Sequence, residues 1–474
     1  MKKKTLASML WTMGAAALSE TSPAAALDLY VDRKTQQIFA EPGPGRVRLG
    51  SFVQVDEQSG ESQTAKSPVA TPATGTATVT AAPTAPSTPA AKPAAKKWYD
   101  RIALRGYMQM RYNQDVGGDA GLLRAPGDRF IGDNQGFGIR RARVVLSGDI
   151  TDQVSFYLQP DFGSTPSGSS TSNFAQLRDA YADIYFDKDR EYRVRAGQSK
   201  VPYGWENLQS SQNRIAPDRA DALNSGVRDE RDMGLFFYYT PRPIQERFQY
   251  LVKSGLKGSG DYGIVGLGFY NGQGANRAER NNSLHTVLHL TYPFKFANGQ
   301  YLEVGADAYT GRFKVAAPSS ISFNGQNFTP VDTAPKDGSL DQRVAVHVIY
   351  YPQPFGLQAE WTTGRGPQLD LGKRQIATRS LRGGYVQAMY KIDHGTIGTL
   401  KPYVKWQTYR GASKFDTNAP RMLVNETEVG VEWQPSSAVE LAVAYANMRR
   451  TNVSEAPYRR VMGDLLRLQL QVNY

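Results

Sequence analysis

From Ile102 onward, apolar and polar residues alternate one by one, in short stretches parted by turn clusters, as far as Tyr474. A period of two is the geometry of a β-strand, whose successive side chains point to opposite faces. In residues 102–112 one face carries Ile102, Leu104, Gly106, Met108, Met110 and Tyr112, the other Arg105, Tyr107, Gln109 and Arg111. One face suits hydrocarbon, the other water. Similar stretches fall near 138–150, 153–163, 175–187, 191–199, 232–241, 261–272, 284–295, 300–312, 341–352, 355–364, 382–393, 400–411, 425–435, 438–449 and 464–474, which with the first makes sixteen. The connections near 151–152, 352–355 and 435–437 are tight, whereas those at 113–137, 200–231, 313–340 and 450–463 are long. Short turns on one side and long loops on the other are the mark of a transmembrane antiparallel β-barrel. The expected fold is therefore all-β, a closed barrel of about sixteen strands over residues 98–474. Residues 248–257 could supply a seventeenth strand. That strand would break the even count and put the loop after Asn271 on the wrong side, so the stretch is read as an insertion on the periplasmic side.

The N-terminus is read as an export signal over residues 1–26: Lys2, Lys3 and Lys4, an apolar run from Leu6 to Leu18, then Ala24, Ala25 and Ala26 before the cut. The apolar run is shorter than the roughly 20 residues of a membrane-spanning helix. A mean hydropathy of −0.49 does not argue for a soluble protein, because a barrel strand shows lipid only every second residue. A soluble β-sandwich is the competing architecture, and sixteen strands behind a signal, with Tyr or Trp near many strand ends, favour the barrel. So does the strict alternation of residues 466–474, which closes on the aromatic Tyr474 and resembles the C-terminal assembly signal of bacterial outer-membrane barrels, where Phe is the usual last residue.

Residues 27–66 carry mixed polarity, with Leu29, Tyr30, Val31, Ile38 and Phe39 ahead of the turn-prone Pro42, Gly43, Pro44 and Gly45, and are expected to form a small periplasmic element. Residues 67–97 are almost entirely Pro, Ala, Thr and Ser, too poor in apolar surface to offset ordering entropy, and read as a tether. The net charge of +12 falls to +10 once the signal is removed. In an exported barrel this points to an acidic membrane surface or anionic solutes, not to nucleic acid. With no cysteine, thiolate metal sites and cysteine nucleophiles are excluded.

Four stretches taken in order carry a family resemblance: residues 139–143 (Ile-Arg-Arg-Ala-Arg), residues 194–204 from Val194 through Gly197, Lys200 and Pro202 to Gly204, residues 231–234 (Arg-Asp-Met-Gly), and residues 269–274 (Phe-Tyr-Asn-Gly-Gln-Gly). Over residues 100–474 the chain resembles the phosphate-selective porin O and P family. The resemblance implies a sixteen-stranded outer-membrane barrel of a Gram-negative bacterium, commonly a homotrimer, whose third external loop folds inward to narrow a passive channel. That loop is residues 202–230 here. With its flanks it holds Lys200, Arg214, Arg219, Arg228 and Arg231 against Glu206, Asp218, Asp221, Asp229 and Glu230, five to five. Phosphate-selecting members concentrate lysines at the constriction, and after Lys200 this loop has none.

Strand parity puts Arg105, Arg111, Arg141, Arg143, Arg193 and Arg195 on the polar, lumenal face, joined at the rim by Lys200, while Arg140 has the opposite parity. A ladder of guanidinium groups would pass anions along weak sites, provided it is not neutralised by Asp161, Asp179 and Asp183. Small anions such as phosphate are the expected solutes, with outer-membrane lipid around the barrel. A carbohydrate-type porin would instead use Tyr107, Tyr157, Tyr181 and Tyr185 as a sugar slide. A third alternative is a structural barrel whose residues 27–66 bind a periplasmic partner. No catalytic, metal or cofactor site is expected. His285 and His289 are four apart in a strand, about 13 Å, too far to share a metal ion. There is no Gly-x-Ser-x-Gly elbow and no lysine-terminated phosphate loop.

Overall fold

A computed structural model describes residues 27–32, 38–39, 46–52, 98–125, 130–132, 136–164 and 173–474. The expected signal and tether lie outside the described residues, as does much of 27–66. Within the latter, Leu27–Asp32 pairs antiparallel with both Ile38–Phe39 and Arg46–Phe52 in a small three-stranded sheet.

The barrel has sixteen strands. They are β1 (Ile102–Gly118), β2 (Gly136–Asp149), β3 (Val154–Ser164), β4 (Phe174–Tyr185), β5 (Tyr192–Lys200), β6 (Arg231–Tyr239), β7 (Val265–Tyr270) and β8 (His285–Lys295). The second half comprises β9 (Tyr301–Phe313), β10 (Ser339–Tyr350), β11 (Phe355–Asp370), β12 (Gln375–Tyr390), β13 (Gly398–Ala412), β14 (Arg421–Ser436), β15 (Val439–Thr451) and β16 (Arg460–Asn473). Neighbours in sequence pair antiparallel, and β16 closes the sheet on β1 in the register Leu470↔Met110 and Leu468↔Tyr112. Closure satisfies every backbone edge, the condition for crossing lipid with strands.

The alternation in the sequence becomes an inside and an outside. On β10, Asp341, Arg343, Ala345, His347 and Ile349 are buried inward, while Val344, Val346 and Val348 are exposed outward. Leu267 and Phe269 on β7, and Leu288 and Leu290 on β8, continue the outer apolar band. Aromatic residues gather where strands meet the periplasmic rim: Tyr192 of β5 stacks on Tyr239 of β6 at 4.7 Å between ring centres, and Tyr390 and Trp433 are exposed near the ends of β12 and β14. Amphipathic rings prefer that depth of a bilayer.

All sixteen expected stretches are strands, with boundaries that differ most at the external side. The β11–β12 hairpin runs on to Asp370 and starts again at Gln375. Gly364, Gly366 and Pro367 hide the apolar alternation there, although the ladder continues through Gly366↔Arg379 and Pro367↔Thr378. The stretch 248–257 is not a strand. It falls in helix α3 (Arg242–Lys253) and the turn after it; α1 (Trp205–Leu208) and α2 (Asp221–Asn224) are shorter. In α3, Ile244, Phe248 and Leu251 make one buried face, Pro243 lies in the first turn, and Gly255 follows the helix at φ +70°.

Candidate functional site: the charged lumen

Every lumenal strand position that carries charge must satisfy it inside the barrel, and most do so with an immediate neighbour. Arg195 of β5 faces Asp183 of β4 in the ladder and donates two hydrogen bonds to it, both 2.8 Å. Arg143 of β2 is likewise opposite Asp161 of β3, at 2.8 Å, and also bonds Tyr107 Oη at 2.7 Å. Arg193 donates to Asp261 at 3.1 Å, and Arg231 to Asp179 and Glu230. Arg111 reaches Asp218 at 2.8 Å and Gln469 at 2.6 Å. Arg105 sits exposed near the periplasmic start of β1, over the Tyr157 ring at 5.5 Å. Lys200 is buried at the end of β5 and donates to the carbonyls of Leu208 and Gln209 in the segment that follows, at 2.7 and 3.0 Å.

Some guanidinium groups bond only neutral oxygens, Arg141, Arg214 and Arg343 among them. Arg141 donates to Gln109 Oε1 at 2.7 Å and Arg214 to the Pro217 carbonyl at 2.9 Å, and neither forms an ion pair among the described residues. Both are buried, and the Nε of each has no hydrogen-bond partner. Burial, then the neighbouring Arg219, depress the Arg214 guanidinium below its ordinary value against the opposing pull of Asp218, Glu206 and Glu230.

Residues 202–230 connect β5 to β6, yet their partners lie around the whole wall. The Gly204 N–H donates to Asp307 of β9 at 2.8 Å, and the Glu206 N–H to Glu360 of β11 at 2.6 Å. Lys405 of β13 pairs with Glu206, Arg450 of β15 with Asp221 at 2.9 Å, and Arg467 of β16 with Asp218. Of these strands β13 stands eight places from β5, half the circumference of sixteen, and the others four to six, so these polar backbone and side-chain groups are satisfied from across and around the barrel. Within the segment Arg219 bonds Glu230 at 3.0 Å, and Arg228 pairs with Asp416 of the external loop between β13 and β14 at 2.9 Å. Burial raises the Glu230 carboxyl, but Arg219, Arg231 and Arg178 outweigh it and hold it well below the usual carboxylate range.

Beside this segment opens a cavity of about 940 Å³. Twelve basic side chains line it against eight acidic ones, including Arg141, Arg214, Arg219, Arg228, Arg277 and Arg280. Sequence reasoning missed Lys405, Arg450 and Arg467. Parity alone would have found Arg467, which alternates inward with Gln469 and Gln471 on β16.

The aromatic track is closed. Tyr157 and Tyr181 stack at 5.1 Å with planes 6° apart, and Arg195 covers Tyr181 at 3.9 Å. Arg190 lies over Tyr185 at 4.6 Å, and Tyr107 is 1% exposed. His285 and His289 both point inward to acidic partners, Asp341 at 3.4 Å and Asp307 at 2.5 Å, and no group of metal-ligating side chains occurs among the described residues.

A closed barrel with an apolar outer band and a charged, water-facing interior defines an outer-membrane channel. Residues 110–474 match the family described as phosphate-selective porin O and P, and the chain belongs to that family. It resides in the outer membrane of a Gram-negative bacterium. Among solved structures, the outer membrane channel DcaP of Acinetobacter baumannii is 14% identical with a TM-score of 0.45, the match covering 81% of this chain and 100% of that one. The trimer form of the Vibrio cholerae outer membrane protein OmpT is 10% identical at a TM-score of 0.44, over 79% and 99%. OmpF of Salmonella typhi, in complex with daunomycin, is 12% identical at 0.48, over 79% and 97%. No curated protein sequence matches the chain.

Proposed function

We propose that the channel passes small inorganic anions, phosphate among them, and that residues 202–230 form its narrowest part. The observation that carries this reading is the surplus of basic groups around the cavity, Arg141 and Arg214 among them, neither of which makes a direct ion pair. Paired arginines such as Arg143 and Arg195 shape the wall, and groups without an ion pair, Arg141 and Arg214 among them, add to the net field. Several weak cationic sites lower the barrier to an anion without trapping it. Phosphate comes from the family's description and from the fit of guanidinium forks to tetrahedral oxyanions.

The test is the zero-current potential of the purified protein in a planar bilayer under a potassium chloride gradient, repeated with phosphate added. Anion selectivity with phosphate blocking chloride current is expected, and the double variant Arg141→Gln, Arg214→Gln is expected to lose most of that preference. A cation-selective wild type, or a variant with unchanged potential, sinks the reading. The carbohydrate alternative draws no support from the tyrosines, whose faces are stacked or capped by guanidinium groups.

In this reading residues 1–26 are cut on export, residues 67–97 tether the small N-terminal sheet in the periplasm, where it is free to meet a partner, and three copies assemble as the family resemblance implies. Light scattering in detergent measures the last point directly.

A further inference from the structure

The connection between β6 and β7 is long for a periplasmic turn, and only its first half is helix α3. The remainder, residues 254–264, leaves the helix for the opposite wall. Lys257 is 4% exposed, and its Nζ lies 2.9 Å from Glu440 Oε2 on β15 and 2.9 Å from Glu432 Oε2 on β14. Those strands stand eight places round from β6 and β7, so the segment spans the bore. Burial alone would strip the proton from Lys257, but Glu432 and Glu440 hold it on. The near end is fixed as firmly: Asp261 accepts from Arg193 at 3.1 Å and from Thr240 at 2.7 Å.

The same segment touches residues 202–230. Gln209 Nε2 donates to the Lys257 carbonyl at 2.6 Å, and Leu256 packs in one buried cluster with Trp205, Leu251 and Tyr351. Two insertions, one from each rim, therefore meet inside the barrel.

We infer that residues 254–264 form a second, periplasmic constriction stacked against residues 202–230, with Lys257 as the residue that positions both across the pore. Size exclusion then belongs to the pair of inserts and not to the external loop alone. This rests on the channel reading but not on its ion preference.

The experiment is single-channel conductance of the full-length protein, together with liposome swelling in a monosaccharide and a trisaccharide. Lys257→Met removes the ammonium that bridges Glu432 and Glu440, leaving Lys401 on Glu432 at 3.0 Å and the insert untied from the wall, and is expected to raise conductance roughly twofold and to increase the trisaccharide-to-monosaccharide swelling ratio. Lys257→Arg, which keeps the charge, should restore both to wild-type values. Leu256→Ala removes the apolar contact with Trp205 while sparing every charge, and should shift both readouts in the same direction; it decides the matter if Lys257→Met fails to assemble. Wild-type conductance and swelling in the assembled variants would overturn the inference. An altered zero-current potential in the Arg141/Arg214 variant is read separately, so the two proposals fail independently.

Discussion

At Asp218 one carboxylate is shared by Arg111 at 2.8 Å and by Arg467, with Arg140 Nη2 at 3.7 Å. It ties residues 202–230 to β1 and β16 while holding down local positive charge. Asp218→Asn should therefore do two things at once: strengthen anion preference, and cost about 2 kcal/mol of stability, the scale of a hydrogen bond to a charged group. The first is read from the zero-current potential, the second from the urea midpoint in detergent; an unchanged potential would mean the carboxylate is electrically silent. Parity read Arg141, Arg143, Arg193 and Arg195 as lumenal from the sequence alone. Asp161 and Asp183 stood out as candidate partners, but which arginine each meets was not legible, because Arg195↔Asp183 and Arg143↔Asp161 depend on strand register, which no single strand encodes. Two motifs that looked separate are one interaction: Asp232 accepts the N–H groups of Gly272 and Gly274 at 2.8 and 2.9 Å. Both glycines have φ near +90°, a conformation side-chain-bearing residues resist.

Helix α3 is the element that the strand pattern obscured. Period-two reading saw apolar residues at 248–257 and weighed a strand. The signals against it were present: Pro243 at the start, Ile244, Phe248 and Leu251 at helical spacing, Gly255 at the end. A helix is affordable here because the turn lies beyond the lipid, where exposed backbone ends can meet water. Phe248, 2% exposed, anchors the helix. Phe248→Ala should cost roughly 3 kcal/mol locally and leave the barrel closed, so protease should cut at 240–264 while the barrel fragment stays resistant. Global unfolding of the variant would show instead that the helix belongs to the barrel's cooperative unit.

Across the whole molecule the outer surface obeys a different rule from the inner one. Val346 lies midway along β10 on its exposed outer face, next to the buried, inward His347. Val346→Arg should cost about 2–4 kcal/mol, the cost of a cation near mid-bilayer, measured as the shift in unfolding free energy in phosphatidylcholine vesicles. A neutral result would put that position at a rim or against a protein neighbour. This architecture was the most legible level, because alternation repeated sixteen times tolerates local error. The seam has a consequence of its own. Gln109 and Gln471 touch across it although 362 residues separate them, and Tyr474 exchanges backbone hydrogen bonds with Gly106 at 2.6 and 3.0 Å. No shorter stretch of the chain can make a finished cylinder. Until β16 meets β1, two rows of unsatisfied amides remain, so a half-built wall can sit in the bilayer only with both edges covered by something else.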